Sequence, residues 1–162
     1  MRVFSVIVAV FTVIVLAVSG YVMATTQIGI EVEGVYGMPA SEQFEAFEMA
    51  RGWAQESNTS TITRYSQDVI GDVSNYHIVF LNVRLSNWDI LPAEWLQINI
   101  HPAAGDILQI RQDSARMDGM QRKTVQAVLL TSNPNYYVHR DIDVEYYLFG
   151  RKFTATTVAE QA

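Results

Sequence analysis

The chain has 162 residues, and setting aside an apolar leader leaves about 138, enough for one domain with a real core and too few for two. It contains no cysteine, which excludes a disulfide framework, a thiolate metal site, a cysteine nucleophile and a lipidated cysteine anchor, so the fold rests on its hydrophobic core. Of eleven Lys and Arg, all but Arg2 lie beyond the leader and face seventeen Asp and Glu; such an acidic domain is repelled by phosphate backbones, and nucleic acid is not expected as a partner.

Val3 to Ala24 carries no charge and is interrupted only by Ser5, Thr12, Ser19 and Gly20. As a helix it reaches about 33 Å, close to the ~30 Å hydrocarbon layer, so membrane lipid is its expected surrounding. Two readings compete. A retained anchor is favoured by the long uninterrupted stretch. A cleaved signal peptide is suggested by Arg2 as a short basic region and by Val22-Met23-Ala24 as a small-residue site before Thr25. In both cases Arg2 precedes the span and the next basic residue is Arg51, so positive-inside logic leaves residues 25–162 on the extracytoplasmic side. The product is a single-pass membrane protein, or a secreted one if cleaved after Ala24.

Ile28, Ile30 and Val32 alternate with Gly29, Glu31 and Glu33, the period of a half-buried strand. A helix is expected from about Ser41 to Glu56, with Pro39 before it, Ser41 as its cap and acidic residues in its early turns. Phe44, Phe47, Ala50 and Ala54 recur at helical spacing as its packing face, and Trp53 is expected to be buried. Asn58-Thr59-Ser60 is a glycosylation sequon in a polar loop, which makes Asn58 a possible glycan site in an exported domain.

From there the chain breaks into short β-prone runs: 61–65, 76–85, 94–101, 106–111, 124–131, and 138–149 turning back into 152–158. Val79, Leu81, Val83 and Leu85 share one face, and Leu96, Ile98 and Ile100 oppose Gln97, Asn99 and His101. Asp118-Gly119 and Gly150-Arg151 read as hairpin turns. With the opening strand this makes about eight strands, and the fold expected is mainly β: an antiparallel β-sandwich with one amphipathic helix.

Over about half the chain the pattern resembles the late-embryogenesis-abundant type 2, or water-stress-hypersensitivity, domain. The carriers are the apolar strand Val79 to Leu85, the Ser86-Asn87-Trp88 turn, the strand Trp95 to Ile100, the Ala104-Gly105-Asp106 turn, and Tyr146-Tyr147-Leu148-Phe149-Gly150 at the close. The first proline of the family turn is missing, Pro92 falls later, and the helix at Ser41 to Glu56 has no counterpart. The resemblance implies an immunoglobulin-like sandwich behind a membrane anchor, with no catalytic residues to carry over.

His139, Asp141, Asp143 and Glu145 alternate along one strand and could supply oxygen ligands to a hard cation. Ile142, Val144, Tyr146 and Leu148 form the complementary apolar face, so the simpler reading is a solvated strand face, useful against promiscuous pairing if this strand is an edge. His77, His101 and His139 show no zinc spacing, and neither a Gly-x-Ser-x-Gly elbow nor a phosphate-cradling glycine loop is present. No metal, cofactor or catalytic residue is expected. Trp88 and Trp95 bracket one turn, and Tyr136 and Tyr137 follow Asn133-Pro134-Asn135 in another; these rings are candidates for docking a protein or a sugar. The expectation is a non-enzymatic binding or assembly module with a protein partner, of the kind an accessory subunit of a larger complex would be. The rivals are an exported enzyme, a metal-dependent domain and a glycan-binding sandwich.

Overall fold

A computed structural model describes residues 2–25, 27–56, 60–111, 115–148 and 150–159. Helix α1 (Arg2–Thr25) leads into β1 (Ile28–Pro39), a 3₁₀ turn (Ala40–Gln43), α2 (Phe44–Gln55) and β2 (Ile62–Arg64). A second 3₁₀ turn (Val73–Asn75) precedes β3 (His77–Asn87), β4 (Ala93–Ile100), β5 (Asp106–Ile110) and β6 (Ala115–Met117). The chain closes with β7 (Arg122–Thr131), β8 (Arg140–Leu148) and β9 (Arg151–Ala159). The strands form an immunoglobulin-like antiparallel sandwich of two sheets, ordered β1-β3-β7-β5-β2 and β6-β4-β8-β9.

Strand β3 shows why the sequence folds this way. Val79, Leu81, Val83 and Leu85 are buried between the sheets against Leu96, Ile142, Val144 and Leu148. On its other face Ile78 and Phe80 lie under α2, which contributes Phe47, Ala50 and Ala54, while Asn82 and Arg84 further along that face are polar. A strand covered on both faces at one end and on one face at the other reads as a continuous apolar run that turns into alternation. The molecule is thus three layers deep where α2 sits. In helix α1 the segment Phe4 to Tyr21 is exposed throughout, long and apolar enough to cross a membrane or to act as a signal sequence.

Several expectations are corrected. Ser41 does not cap α2, because the chain leaves Pro39 through a 3₁₀ turn tied down by the Ala40 N–H donating to the Tyr76 carbonyl at 2.9 Å; the α-helix starts at Phe44, which is exposed. Trp53 is half-buried at the rim of the α2 cluster. Asp118-Gly119 is not a hairpin turn, because β6 pairs with β4 and β7 pairs with β3 and β5, so this turn carries the chain from one sheet to the other. Met120, not the glycine, takes the positive φ of 58° there, while Gly119 lies so close to the Ile90 carbonyl that no side chain fits. Gly150 does turn the β8–β9 hairpin, with a φ of 74°. Strand β8 is interior, between β4 and β9, so its acidic face guards no edge. The Asn58 sequon lies outside the described residues.

Two polar stitches run from β5 to the opposite sheet. Where β6 stops pairing, the free edge of β4 is closed by the Gln109 side chain of β5, whose Nε2 donates to the Ile98 carbonyl at 2.7 Å and whose Oε1 accepts from the Ile100 N–H at 3.0 Å. This carboxamide acts as one peptide unit of a missing strand. The Tyr65 hydroxyl bonds the Ile100 carbonyl and Gln109 Oε1, and burial pushes its phenol well above the ordinary range. The second stitch is a forked ion pair between Arg140 of β8 and Asp106 of β5, with Nε–Oδ2 and Nη2–Oδ1 both at 2.8 Å and side chains 1% and 0% exposed. Arg140 Nη1 also donates to the Tyr136 and Val138 carbonyls, and Asp106 Oδ2 also accepts the Ala103 N–H.

Because each partner is desolvated, removing one leaves the other uncompensated at a cost of about 3–5 kcal/mol, whereas replacing both with apolar residues can be close to neutral. Arg140→Ala is expected to lower the denaturation midpoint of the full-length protein sharply, and Arg140→Met with Asp106→Leu to recover most of the loss. Equal midpoints for the two variants would contradict the clamp. Similarly, Leu81→Asp buries an unpaired carboxylate against a total stability of only about 5–15 kcal/mol and should prevent folding. Arg84→Ala removes only exposed pairs with Glu31 and Glu33 and should cost under about 1 kcal/mol in the same unfolding measurement.

Candidate functional site

The strand registers divide the aromatic candidates between opposite ends of the sandwich. Ile28 pairs with Asn87 and Ser86 with Arg122, which puts the β3–β4 turn and Trp88 at the end where α1 enters. His77 pairs with Pro39 and Thr131 at the other end, and Tyr136 lies there with its ring against His77. The eleven residues of β3 separate the two ends by about 33 Å. Trp88 and Trp95 therefore share an end, and neither shares one with Tyr136 and Tyr137.

At the entry end Asn87, itself buried, is the hub. Its Nδ2 donates to the Leu91 and Asp118 carbonyls, its Oδ1 accepts from the Asp89 N–H, and its backbone N–H donates to the Gln121 carbonyl. The Met120 N–H adds a bond to the Asp89 carbonyl at 2.7 Å. The β3–β4 turn and the β6–β7 turn are thereby welded together. Three large apolar side chains project from them: Trp88, 57% exposed beneath the Arg122 guanidinium at 4.5 Å, Ile90, 84% exposed, and Met120, 67% exposed. Trp95 is also exposed, turned out by a bulge in β4 at which its φ reaches 54°.

At the far end Tyr136 is half-buried, its ring lying flat on Gly37 where a Cβ would stand 2.4 Å from it, so this residue packs as much as it presents. Tyr137 packs on it with the ring centroids 4.5 Å apart and the planes tilted by 45°, and is the exposed member. A hydrogen bond with Tyr137 raises the Tyr136 phenol. The Arg140 guanidinium bonds the backbone beneath both rings, so the buried clamp also sets their position.

All three histidines gather at this end, without converging. His101 Nε2 meets Asp143 Oδ2 at 2.7 Å, and Asp143 Oδ1 accepts from the Thr156 hydroxyl. Glu145 pairs with Lys152, and Asp141 is 3.9 Å from His139. The acidic face of β8 thus divides its carboxylates among separate neighbours, and among the described residues no three metal-ligating side chains come together. A shallow hollow of about 200 Å³ lies between the end of α2 and the loop after β2, lined by Arg51, Ala54, Arg64 and Ile70. It is smaller than the ~300–1,000 Å³ of ordinary small-molecule sites.

The arrangement of Trp88 and Trp95 against Tyr136 and Tyr137 was beyond periodicity alone, but one signal was available. Arg140 occupies the parity of Ile142, Val144, Tyr146 and Leu148, and a charge in an inward slot announces a buried partner.

No family model matches the chain, and no curated protein matches it. Among solved structures it is similar to a FixG-related protein from Vibrio parahaemolyticus at 6% identity, covering 62% of this chain and 93% of that one with a TM-score of 0.36. It is also similar to the structural genomics target SoR45 at 10% identity, covering 83% and 86% with a TM-score of 0.42. A third, described as the ApaA protein from Bordetella pertussis, has 9% identity, coverage of 84% and 94%, and a TM-score of 0.40. None of these likenesses bears on the chemistry of either end.

The hydrogen bond to Asp143 raises the His101 pKa above its ordinary 6.5, and that to His101 lowers Asp143 below its ordinary 3.8. The histidine's contribution to stability is full below 6.5 and lost as pH rises through the raised value; the aspartate's is present above 3.8 and lost as pH falls through the lowered one. The pair therefore stabilises most between those two ordinary values. Titration of the His101 ring by NMR should show the elevated midpoint, and Asp143→Asn should bring it down. An unchanged midpoint in that variant would break the pairing.

Proposed function

We propose that this protein is a membrane-tethered, extracytoplasmic, non-enzymatic binding or assembly module, an accessory subunit that presents its far end to a protein partner. The observation that carries the reading is the apolar helix α1, exposed from Phe4 to Tyr21, which runs into β1 within three residues. Such a helix has lipid as its natural surrounding. The sandwich behind an apolar helix is also the plan that the resemblance to late-embryogenesis-abundant type 2 domains implies, and we propose that shared plan as well.

The partner surface in this reading is Tyr137 with Tyr136 behind it. Rigid aromatic side chains on a backbone fixed from below lose little entropy on docking, which is why such rings dominate interface energetics. An enzyme is disfavoured because the ionisable groups of this end, His101 with Asp143 and His139 with Asp141, are engaged with immediate neighbours rather than aimed at a shared point.

Two measurements on sealed native membranes test the proposal. Protease added from the extracytoplasmic side should remove the sandwich; protection would reverse the orientation. A photoreactive phenylalanine at Tyr137 should give a discrete crosslinked protein that is absent when the probe stands at Thr154, on the exposed face of β9. Equal crosslinking from both positions would sink the partner surface.

A further inference from the structure

The entry end of the sandwich carries a second feature that the tether alone does not explain. Exposed large apolar groups on a soluble surface are ordinarily scattered, and contiguous ones mark something that covers them. Trp88, Ile90 and Met120 project from two turns joined by the Asn87 hub, so they cannot fold back to bury themselves.

What covers them follows from chain length. The 24 residues of α1 make a helix of about 36 Å, which fills the ~30 Å hydrocarbon layer and leaves its last turn in the headgroup region. From Thr25 to Ile28 the chain advances three residues, at most about 10 Å. Ile28 is paired with Asn87, and the Trp88 indole lies against Gly29. The β3–β4 turn is therefore leashed within reach of the headgroup layer, whose thickness on each side is about 5–7 Å.

Charge agrees with that placement. In an acidic domain, Arg122, Lys123, Arg151 and Lys152 lie within two residues of this end by register, with Arg116 close by in β6. The carboxylates at the same level are Asp89, Glu94 and Asp118, the last two within 4.0 Å of Arg116, and Glu145 reaches Lys152 at 2.7 Å from further along β8, which leaves Arg122, Lys123 and Arg151 as the cations this end presents. Arg122 over Trp88 sets a cation at phosphate height beside a ring suited to the interface, the pairing that amphipathic aromatic belts use.

We propose that Trp88, Ile90 and Met120 insert into the headgroup layer of the bilayer that α1 spans, so that the sandwich stands on the membrane by two contacts and its far end points away. The occupant of this surface is lipid. The proposal rests on α1 being a retained anchor.

The test uses the full-length protein reconstituted in phosphatidylcholine vesicles containing phosphatidylglycerol, with Trp53→Phe and Trp95→Phe leaving Trp88 as sole emitter. Lipid brominated near the headgroup end of its acyl chains should quench this emission several-fold more than that of a control retaining only Trp53, which lies on α2. Ile90→Asp with Met120→Asp should reduce the quenching while the protein stays in the vesicle pellet after an alkaline wash. Trp88 emission quenched no more than the Trp53 control, and freely reached by aqueous iodide, would overturn the proposal and assign the surface to water or to a protein. Failure of the anchor reading is distinguishable: the protein washes off the vesicles, or the mature native chain has the mass of one beginning at Thr25.

Discussion

The forked ion pair between Arg140 and Asp106 is the constraint on which both the fold and its far surface depend. It joins β8 of one sheet to β5 of the other almost without solvent contact, and the guanidinium makes four hydrogen bonds to oxygen, two to the carboxylate and two to backbone carbonyls. A buried ion pair is rarely a strong source of stability compared with well-packed apolar residues, because desolvation offsets the attraction. What the fork adds is geometry. Apolar faces alone allow two sheets to slide; a two-pronged polar contact permits a single relative placement of β5 and β8. The Gln109 carboxamide repeats the device one strand over, fitting the open edge of β4 as a peptide group would.

The same contact reaches the surface. By bonding the carbonyls of Tyr136 and Val138, Arg140 holds the turn that offers Tyr137 to solvent, and Tyr136 is pinned from the other side by the bare backbone of Gly37. At the opposite end the buried Asn87 plays the equivalent part for Trp88, Ile90 and Met120. Each end is a rigid display built on one buried polar side chain. The two displays differ in what surrounds them: basic groups at the entry end, histidines and carboxylates at the far end.

Much of the architecture could be read from the sequence because it is local. The alternation of Val79, Leu81, Val83 and Leu85 and the complementary faces of 140–148 gave strands with the inward sides as found. What was not legible is non-local. Strand β6 is three residues long and exists only because β4 lies beside it. The Asp118-Gly119 pair has hairpin chemistry but connects two sheets, since pairing partners are decided by packing and not by the turn. The helix begins three residues later than its Ser41 cap signal because Ala40 is tied to Tyr76, a contact made across the fold. In the same way Trp88 and Tyr136 look alike in sequence, each beside a polar turn, and only the direction of the strands between them sends them to opposite ends.

That separation is the centre of the functional account, and the absence of cysteine makes it directly measurable, since single introduced cysteines can carry a spin label without ambiguity. Labels at positions 90 and 137 of the full-length protein in vesicles should differ in their relaxation by lipid-soluble oxygen and by a water-soluble nickel chelate. The account predicts that the label at 90 is relaxed chiefly by oxygen and the label at 137 chiefly by nickel. The same aqueous response at both positions would contradict it.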